Sequence, residues 1–326
     1  MSVATFPAVS LATPQLRPLN ILRDLPSVAD LVETCFADTM DADGHRYVQQ
    51  MRRAGRDNTF LRWAVNAAET ASMPLSGYVW EEDGQIIGNV SLIPFRKTSK
   101  KNYLIANVAV RPDRRHRGIG RLLTAAAMQH ARRRQADEIW LHVRDDNPGA
   151  IALYTNLGFK ERARRTSWQT KADRTINTYV LDDVVISSRY ARNWPLQESW
   201  LRRTYPDFLH WHQSPPWMSL RPGLLPGLYR FFMDTGTRQW SAYSGGKLLA
   251  SLTWQSLYAY SDRLWVAVPP EGSERVLMAL LFHVRRSLTW QKSLNLEFPA
   301  GEYSTAIKGS GFHPLRTLLW MQATET

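Results

Sequence analysis

Asn107-Val108-Ala109-Val110-Arg111-Pro112-Asp113-Arg114-Arg115-His116-Arg117-Gly118-Ile119-Gly120-Arg121-Leu122-Leu123 is the stretch on which the reading of this chain turns. It opens as a β-branched run, breaks at Pro112, passes through a basic loop with two glycines and enters an Ala- and Leu-rich helix. Strand, glycine loop and helix in that order build an anion site. The first helical turn has N–H groups without intrahelical partners and a partial positive charge. Gly118 and Gly120 let the backbone approach a phosphate with no Cβ in the way, and Arg115 and Arg117 add charge beside it. A tight turn with solvated arginines has the same outline, and a glycine pair does not by itself separate the two.

The spacing is more selective. The Walker pattern needs Gly-Lys-Ser/Thr, which is absent, and the dinucleotide fingerprint needs a third glycine, also absent. Arg115-x-x-Gly118-x-Gly120 after Val108-Ala109-Val110 resembles the Arg/Gln-x-x-Gly-x-Gly/Ala signature of the GNAT superfamily of N-acetyltransferases. Downstream, Leu141-His142-Val143 reads as the next strand. Asn147-x-x-Ala150-x-x-Leu153-Tyr154-x-x-Leu157-Gly158-Phe159 is similar to that family's Asn…Ala…Tyr…Leu-Gly-Phe segment.

The resemblance implies acetyl-CoA as acyl donor and direct attack by a primary amine in a ternary complex. It implies that the strands read as 103–110 and 138–143 splay, with the pantetheine arm and the developing oxyanion on the backbone of Val108, Ala109 and Val110. The pyrophosphate would lie on the N–H groups of Arg115, His116, Arg117, Gly118, Ile119, Gly120 and Arg121. Asn147 would bond the pantetheine arm, and Tyr154 would protonate the departing thiolate. Where many relatives carry a glutamate base this chain has Ala106, which leaves water, Glu81, Glu82, Tyr103 or His142 to take the proton. No His, Cys, Asp or Glu cluster has metal-ligand spacing, so no metal is expected.

Composition is globular, with 44% hydrophobic and 21% charged residues. The single cysteine, Cys35, excludes an internal disulfide framework, fits a reducing, cytoplasmic setting and reads as a small core residue. No apolar run reaches the roughly 18 residues of a spanning helix, so no membrane partner is expected. The net charge of +12 fits either a solvated basic surface or an anionic partner, the cofactor's phosphates or a nucleic acid. Residues 1–185 hold 26 basic against 20 acidic residues and residues 186–326 hold 15 against 9, +6 in each half. No basic tail stands out, and nucleic acid ranks behind the cofactor as the partner.

In chain order, residues 1–15 read as a flexible leader and Leu16–Leu19 as a short strand. Helical spacing covers Pro26–Phe36 and Gly44–Val65. A hairpin follows at 77–93, then the central strand 103–110, the cofactor helix 118–134, a strand at 138–143, a helix at 148–157 and a closing strand at 164–170. The second half repeats this order. Lys247–Thr253 echoes Gln85–Ser91, Trp265–Pro270 echoes Val108–Pro112, and Ser310-Gly311-Phe312 stands where Leu157-Gly158-Phe159 stood. Its upstream helices are placed at Gln197–Tyr205 and Leu225–Met233.

The expected fold class is therefore α+β, an α/β three-layer arrangement of two tandem GNAT-like folds, each a mixed sheet flanked by helices. The expected domains are 16–180, catalytic, and 181–326, degenerate, with the boundary at Thr178–Arg189 as a strand shared between copies. The second copy has Glu271-Gly272-Ser273-Glu274 in place of the basic glycine loop, and its carboxylates oppose a pyrophosphate. Two other readings stand beside the enzyme: a non-catalytic acyl-CoA-binding regulator, and an acetylase of a nucleic-acid-associated protein. The acceptor amine is not named by the sequence.

Overall fold

The computed structural model describes residues 13–40, 42–67, 73–96, 100–177, 179–223, 236–257, 261–288 and 292–324. Contacts divide the chain into two compact units, residues 1–162 with 319–326, and residues 163–318.

The first unit contains β1 (Leu16–Pro18), α1 (Ile21–Phe36), α2 (Ala42–Ala54), α3 (Asn58–Ala67), β2 (Ser76–Glu82), β3 (Gln85–Phe95), β4 (Asn102–Val110), α4 (Ile119–Arg133), β5 (Glu138–Arg144) and α5 (Pro148–Asn156). Its sheet is mixed. β1, β2, β3 and β4 pair antiparallel in sequence, β4 pairs parallel with β5, and the end of the C-terminal strand β12 (His313–Ala323) lies beyond β5. Alternate residues of the strands feed two cores. Val79 and Ala109 pack with α1–α3, whereas Trp80, Ile87 and Ile105 pack with α4, Tyr154 and Phe159.

Helix α1 starts five residues before the expected Pro26. Asn20 caps it by accepting from the Leu22 N–H at 3.1 Å, and the Asp24 carboxylate accepts from the Asn20 N–H at 2.8 Å. The helix runs through Pro26, which lacks the N–H for one intrahelical hydrogen bond. The helix expected over 44–65 is two helices. Gly55 breaks it where a Cβ would stand 3.0 Å from the Pro26 ring, and Asp57 caps α3 through the Thr59 and Phe60 N–H groups.

The second unit contains most of β6 (Phe159–Lys171), then β7 (Val185–Ser188), α6 (Trp194–Thr204), α7 (Trp217–Leu220), β8 (Thr237–Ser244), β9 (Lys247–Gln255), β10 (Ser261–Ala267), α8 (Glu274–Ser287), β11 (Ser293–Pro299) and α9 (Ser304–Gly309). Its strand order is β6-β11-β10-β9-β8-β7, with β10 and β11 parallel. The helix expected at 225–233 lies outside the described residues.

The division differs from the one expected at 180/181. The expected closing strand of the first copy pairs with β11 of the second unit, Arg165 opposite Pro299 through Lys171 opposite Ser293. The first unit is closed instead by the chain's last strand, whose Leu319 and Met321 are buried among Leu141, Val143 and Phe159. The shared strands are thus β6 and β12, while β7 at the expected boundary is an edge strand on β8. Sequence order concealed this because the two closing strands are interchangeable by pattern.

Candidate active site

The site is built where β4 and β5 part. Their parallel pairing runs from Asn102–Glu138 to Ile105–Leu141 and stops, although β4 continues to Val110 and β5 to Arg144. On its other edge β4 carries a bulge. Asn89 pairs with Ala109 but Ser91 pairs with Ala106, so β4 has one residue more than β3 over this span. Asn107, with φ 51°, takes up the extra length.

The bulge settles which peptide groups face the gap. The Arg111 N–H donates to the Ile87 carbonyl on β3 at 2.8 Å. By the alternation along a strand, the groups of Ala109 also face β3, and those of Val108 and Val110 face the β5 side. The Val110 carbonyl accordingly accepts from outside the ladder, from Cys35 Sγ at 3.3 Å and Arg115 Nε at 3.1 Å. Of the three residues expected to offer backbone to a ligand, Val108 and Val110 are in position, and Ala109 is held in the β3–β4 ladder. Cys35 is half-buried beneath the loop; burial pushes its thiol up, and Arg115 pulls back part of that shift.

The glycine loop follows. His116 and Gly118 both have left-handed backbone, at φ 62° and 78°, and Gly118 caps α4. A Cβ built on Gly118 meets nothing within 4 Å, so the space above the loop is open, and one built on Gly120 would stand 3.6 Å from the Leu153 side chain of α5. The Leu122 N–H is used on the Gly118 carbonyl, which leaves the N–H groups of Ile119, Gly120 and Arg121 as the unpaired donors of the first turn. Arg115, Arg117 and Arg121 are exposed around it. Arg115 is anchored through Nε. Arg117 and Arg121 have no side-chain partner among the described residues. Arg114 is drawn away to Glu82 at 3.2 Å.

Asn147 caps α5, accepting from the Ala150 N–H through Oδ1 at 3.0 Å. Its amide nitrogen is the end left to meet a ligand. Tyr154 is buried against Phe159 (ring centroids 6.2 Å apart), in the cluster that Val108 and Val110 border. Its hydroxyl has no hydrogen-bond partner among the described residues, and burial pushes the phenol up to about 12.

Among the base candidates, Glu81 is held by Arg17 and Arg23, Glu82 by Arg114 and the Trp80 indole, and Tyr103 is fully buried. His142 packs against Trp320, ring centroids 4.1 Å apart and planes tilted by 43°. None stands free at the end of β4, which favours water as the carrier of the proton. Sequence reading did not find the polar group at the bulge. Asn107 Nδ2 donates to the Tyr47 hydroxyl at 2.7 Å and to Ser91 Oγ at 3.2 Å, and Asn89 Nδ2 donates to the Asn107 carbonyl at 2.9 Å. The one available signal was an asparagine inside a β-branched run. Among the described residues no group of His, Cys, Asp and Glu could hold a metal ion.

The second unit repeats the splay without the site. β10 and β11 pair only as far as Leu264–Leu296, but β9 and β10 keep one register from Arg263–Gln255 to Ala267–Ser251, with no bulge. The Val266 N–H is taken by the Tyr205 hydroxyl at 3.3 Å. The Tyr303 hydroxyl accepts from the Gly272 N–H and donates to the Pro269 carbonyl, both at 2.8 Å. A Cβ on Gly272 would lie 2.2 Å from that hydroxyl. Glu274 accepts from the Ala306 N–H at 2.6 Å. The loop that could receive a phosphate is closed by the unit's own side chains.

Residues 36–159, which contain the bulge, the splay, the glycine loop and Tyr154, match the Acetyltransferase (GNAT) family model. The first unit belongs to the GNAT family. The chain is 39% identical over 67 residues to the [ribosomal protein bS18]-alanine N-acetyltransferase of Escherichia coli K12, covering 21% of this chain and 45% of that protein. It is 41% identical over 61 residues to the mycothiol acetyltransferase of Tsukamurella paurometabola, covering 19% of this chain and 21% of that one. The chain thus spans less than half the length of these relatives. Across nearly the whole chain the fold is similar to that of a GCN5-related N-acetyltransferase from Sphaerobacter thermophilus. The TM-score is 0.58 at 16% identity, covering 95% of this chain and 96% of that one.

Proposed function

We propose that this GNAT-family chain is an acetyl-CoA-dependent N-acetyltransferase that passes the acetyl group to a primary amine by direct attack in a ternary complex. One observation carries the reading. A glycine loop with three unpaired helix N–H groups sits next to a strand that turns the peptide groups of Val108 and Val110 into the β4–β5 splay.

The loop from Arg115 to Arg121 takes the pyrophosphate, with Arg117 and Arg121 free to pair with phosphate oxygens. The Val110 N–H and the peptide groups of Val108 take the pantetheine arm and the carbonyl oxygen as it gains charge. The Asn147 amide bonds the same arm. When the tetrahedral intermediate collapses, the C–S bond breaks and Tyr154 donates its proton toward the sulfur. A phenol pushed up to about 12 stays protonated at neutral pH, so the donor is present before the thiolate forms. With Ala106 at the usual position of the base, the amine loses its proton to water.

Calorimetry with acetyl-CoA tests this. Gly118→Asp and Gly118→Asn both tolerate left-handed backbone and have the same shape, so they differ in charge alone. The aspartate variant should bind at least about tenfold more weakly than the asparagine variant, roughly 1.4 kcal/mol. Equal affinities for the two would mean that no pyrophosphate lies over the loop.

A further inference from the structure

We propose that Tyr47 is a positioning residue for the transfer step: through Asn107 it holds the bulge of β4, and the bulge decides which peptide groups face the thioester. The inference rests on the acetyltransferase reading and adds to it a residue of α2 that touches neither cofactor nor loop.

One extra residue in a strand reverses the alternation beyond it. Ser91 faces β4 and pairs with Ala106, and Asn89 faces β4 and pairs with Ala109. If the register of Ser91–Ala106 ran on unbroken, Asn89 would meet Val108. Val108 and Val110 would then be spent on β3, and Asn107 and Ala109 would face the splay in their place. That Val108 and Val110 are the residues turned toward the thioester therefore depends on Asn107 keeping its left-handed conformation, φ 51°.

That conformation is unfavourable for a residue with a Cβ, by roughly 1 kcal/mol, with asparagine among the residues that visit it most readily. Here three partners hold it. Tyr47 and Ser91 accept from the Asn107 amide, and the fully buried Asn89 donates to its carbonyl. Ser91 and Asn89 are on the adjacent strand and would follow β4 if it shifted. Tyr47 is on a different element. Its helix is fixed separately, by Val48 and Met51 in the core beside α1 and by Arg52 on Asp30 and Glu33. Tyr47 is thus the fixed point of the clamp. Burial pushes its phenol up to about 12, so the hydroxyl stays neutral and the hydrogen bond persists through neutral pH. The second unit provides an internal comparison. β10 has no asparagine and no bulge, and its outward N–H at Val266 is capped by Tyr205.

The test uses the full chain with carbonyl-labelled acetyl-CoA and isotope-edited infrared spectroscopy. Hydrogen bonds from the aimed N–H groups lower the thioester carbonyl stretch of the bound molecule relative to solution. Tyr47→Phe keeps the ring and removes only the hydroxyl, and should move the band back toward its solution position and weaken calorimetric affinity for CoA, since the same peptide groups hold the pantetheine arm. Asn107→Ala should do the same. Asn107→Gly, which adopts left-handed backbone freely, should restore the low-frequency band without the clamp. A purely structural role for Tyr47 would lower melting temperature without moving the band. Normal acetyl-CoA binding with the same band in all three variants overturns the clamp alone. Failure of the wild-type chain to bind acetyl-CoA overturns the acetyltransferase reading and the clamp with it.

Discussion

Tyr154 is the residue on which the chemistry can be tried most directly. It is buried, its hydroxyl is unpaired among the described residues, and its phenol is held protonated. Tyr154→Phe should lower kcat by about a hundredfold, within the usual range for a general acid, and leave affinity for acetyl-CoA intact. Turnover at the wild-type rate in that variant would reduce Tyr154 to a packing residue. Much of the site was legible at this scale, because glycines at a helix start and an Asn…Tyr spacing are local signals. What was hidden depended on register. Ala109 sits in the same run as Val108 and Val110, yet one extra residue at Asn107 sends it to the opposite side. Tyr47 reaches Asn107 from 60 positions away, which no spacing rule reports.

At the scale of elements, helix α1 depends on one buried carboxylate. Asp24 is 2% exposed. Burial pushes its pKa up, but hydrogen bonds from Arg17, the Asn20 N–H and Arg23 more than reverse this and hold it below the usual carboxylate value. A depressed folded-state pKa stabilises the fold above the unfolded value near 3.8, and that contribution is lost as pH falls through the lower, folded value. Asp24→Asn should cost about 2 kcal/mol at pH 7, since it leaves Arg17 with half its partners. The gap to wild type should close in acid. Melting temperatures measured from pH 7 down to pH 3 check this, and a constant gap throughout would exclude the ion pair as its source. The helix was visible in the sequence only from Pro26 onward, because proline reads as a start and the caps at Asn20 and Asp24 are invisible to hydrophobic periodicity.

For the whole molecule, the two halves of the sequence are not the two units of the structure. Leu319 and Met321 complete the first unit's core, so a chain cut at residue 186 loses buried side chains of the unit it retains. That truncation should be insoluble or inactive. Stoichiometry is the sharper question. Both units part their parallel strands at corresponding pairs, Ile105–Leu141 and Leu264–Leu296, so topology alone would permit two cofactors. The loops differ in what occupies them. Above Gly118 there is open space flanked by arginines, whereas the Gly272 N–H is bonded to Tyr303 and Glu274 stands at the first turn of α8. A carboxylate there stabilises the helix and repels a pyrophosphate by the same charge. Displacing Tyr303 would in addition leave the Gly272 N–H and the Pro269 carbonyl to find new partners, about 1 kcal/mol for each lost bond. Calorimetric titration of the full chain should therefore give one acetyl-CoA per chain, and Gly118→Asp should weaken that single event rather than half of a double one. Two binding events in the wild-type chain, or one surviving intact in Gly118→Asp, would place a working site in the second unit.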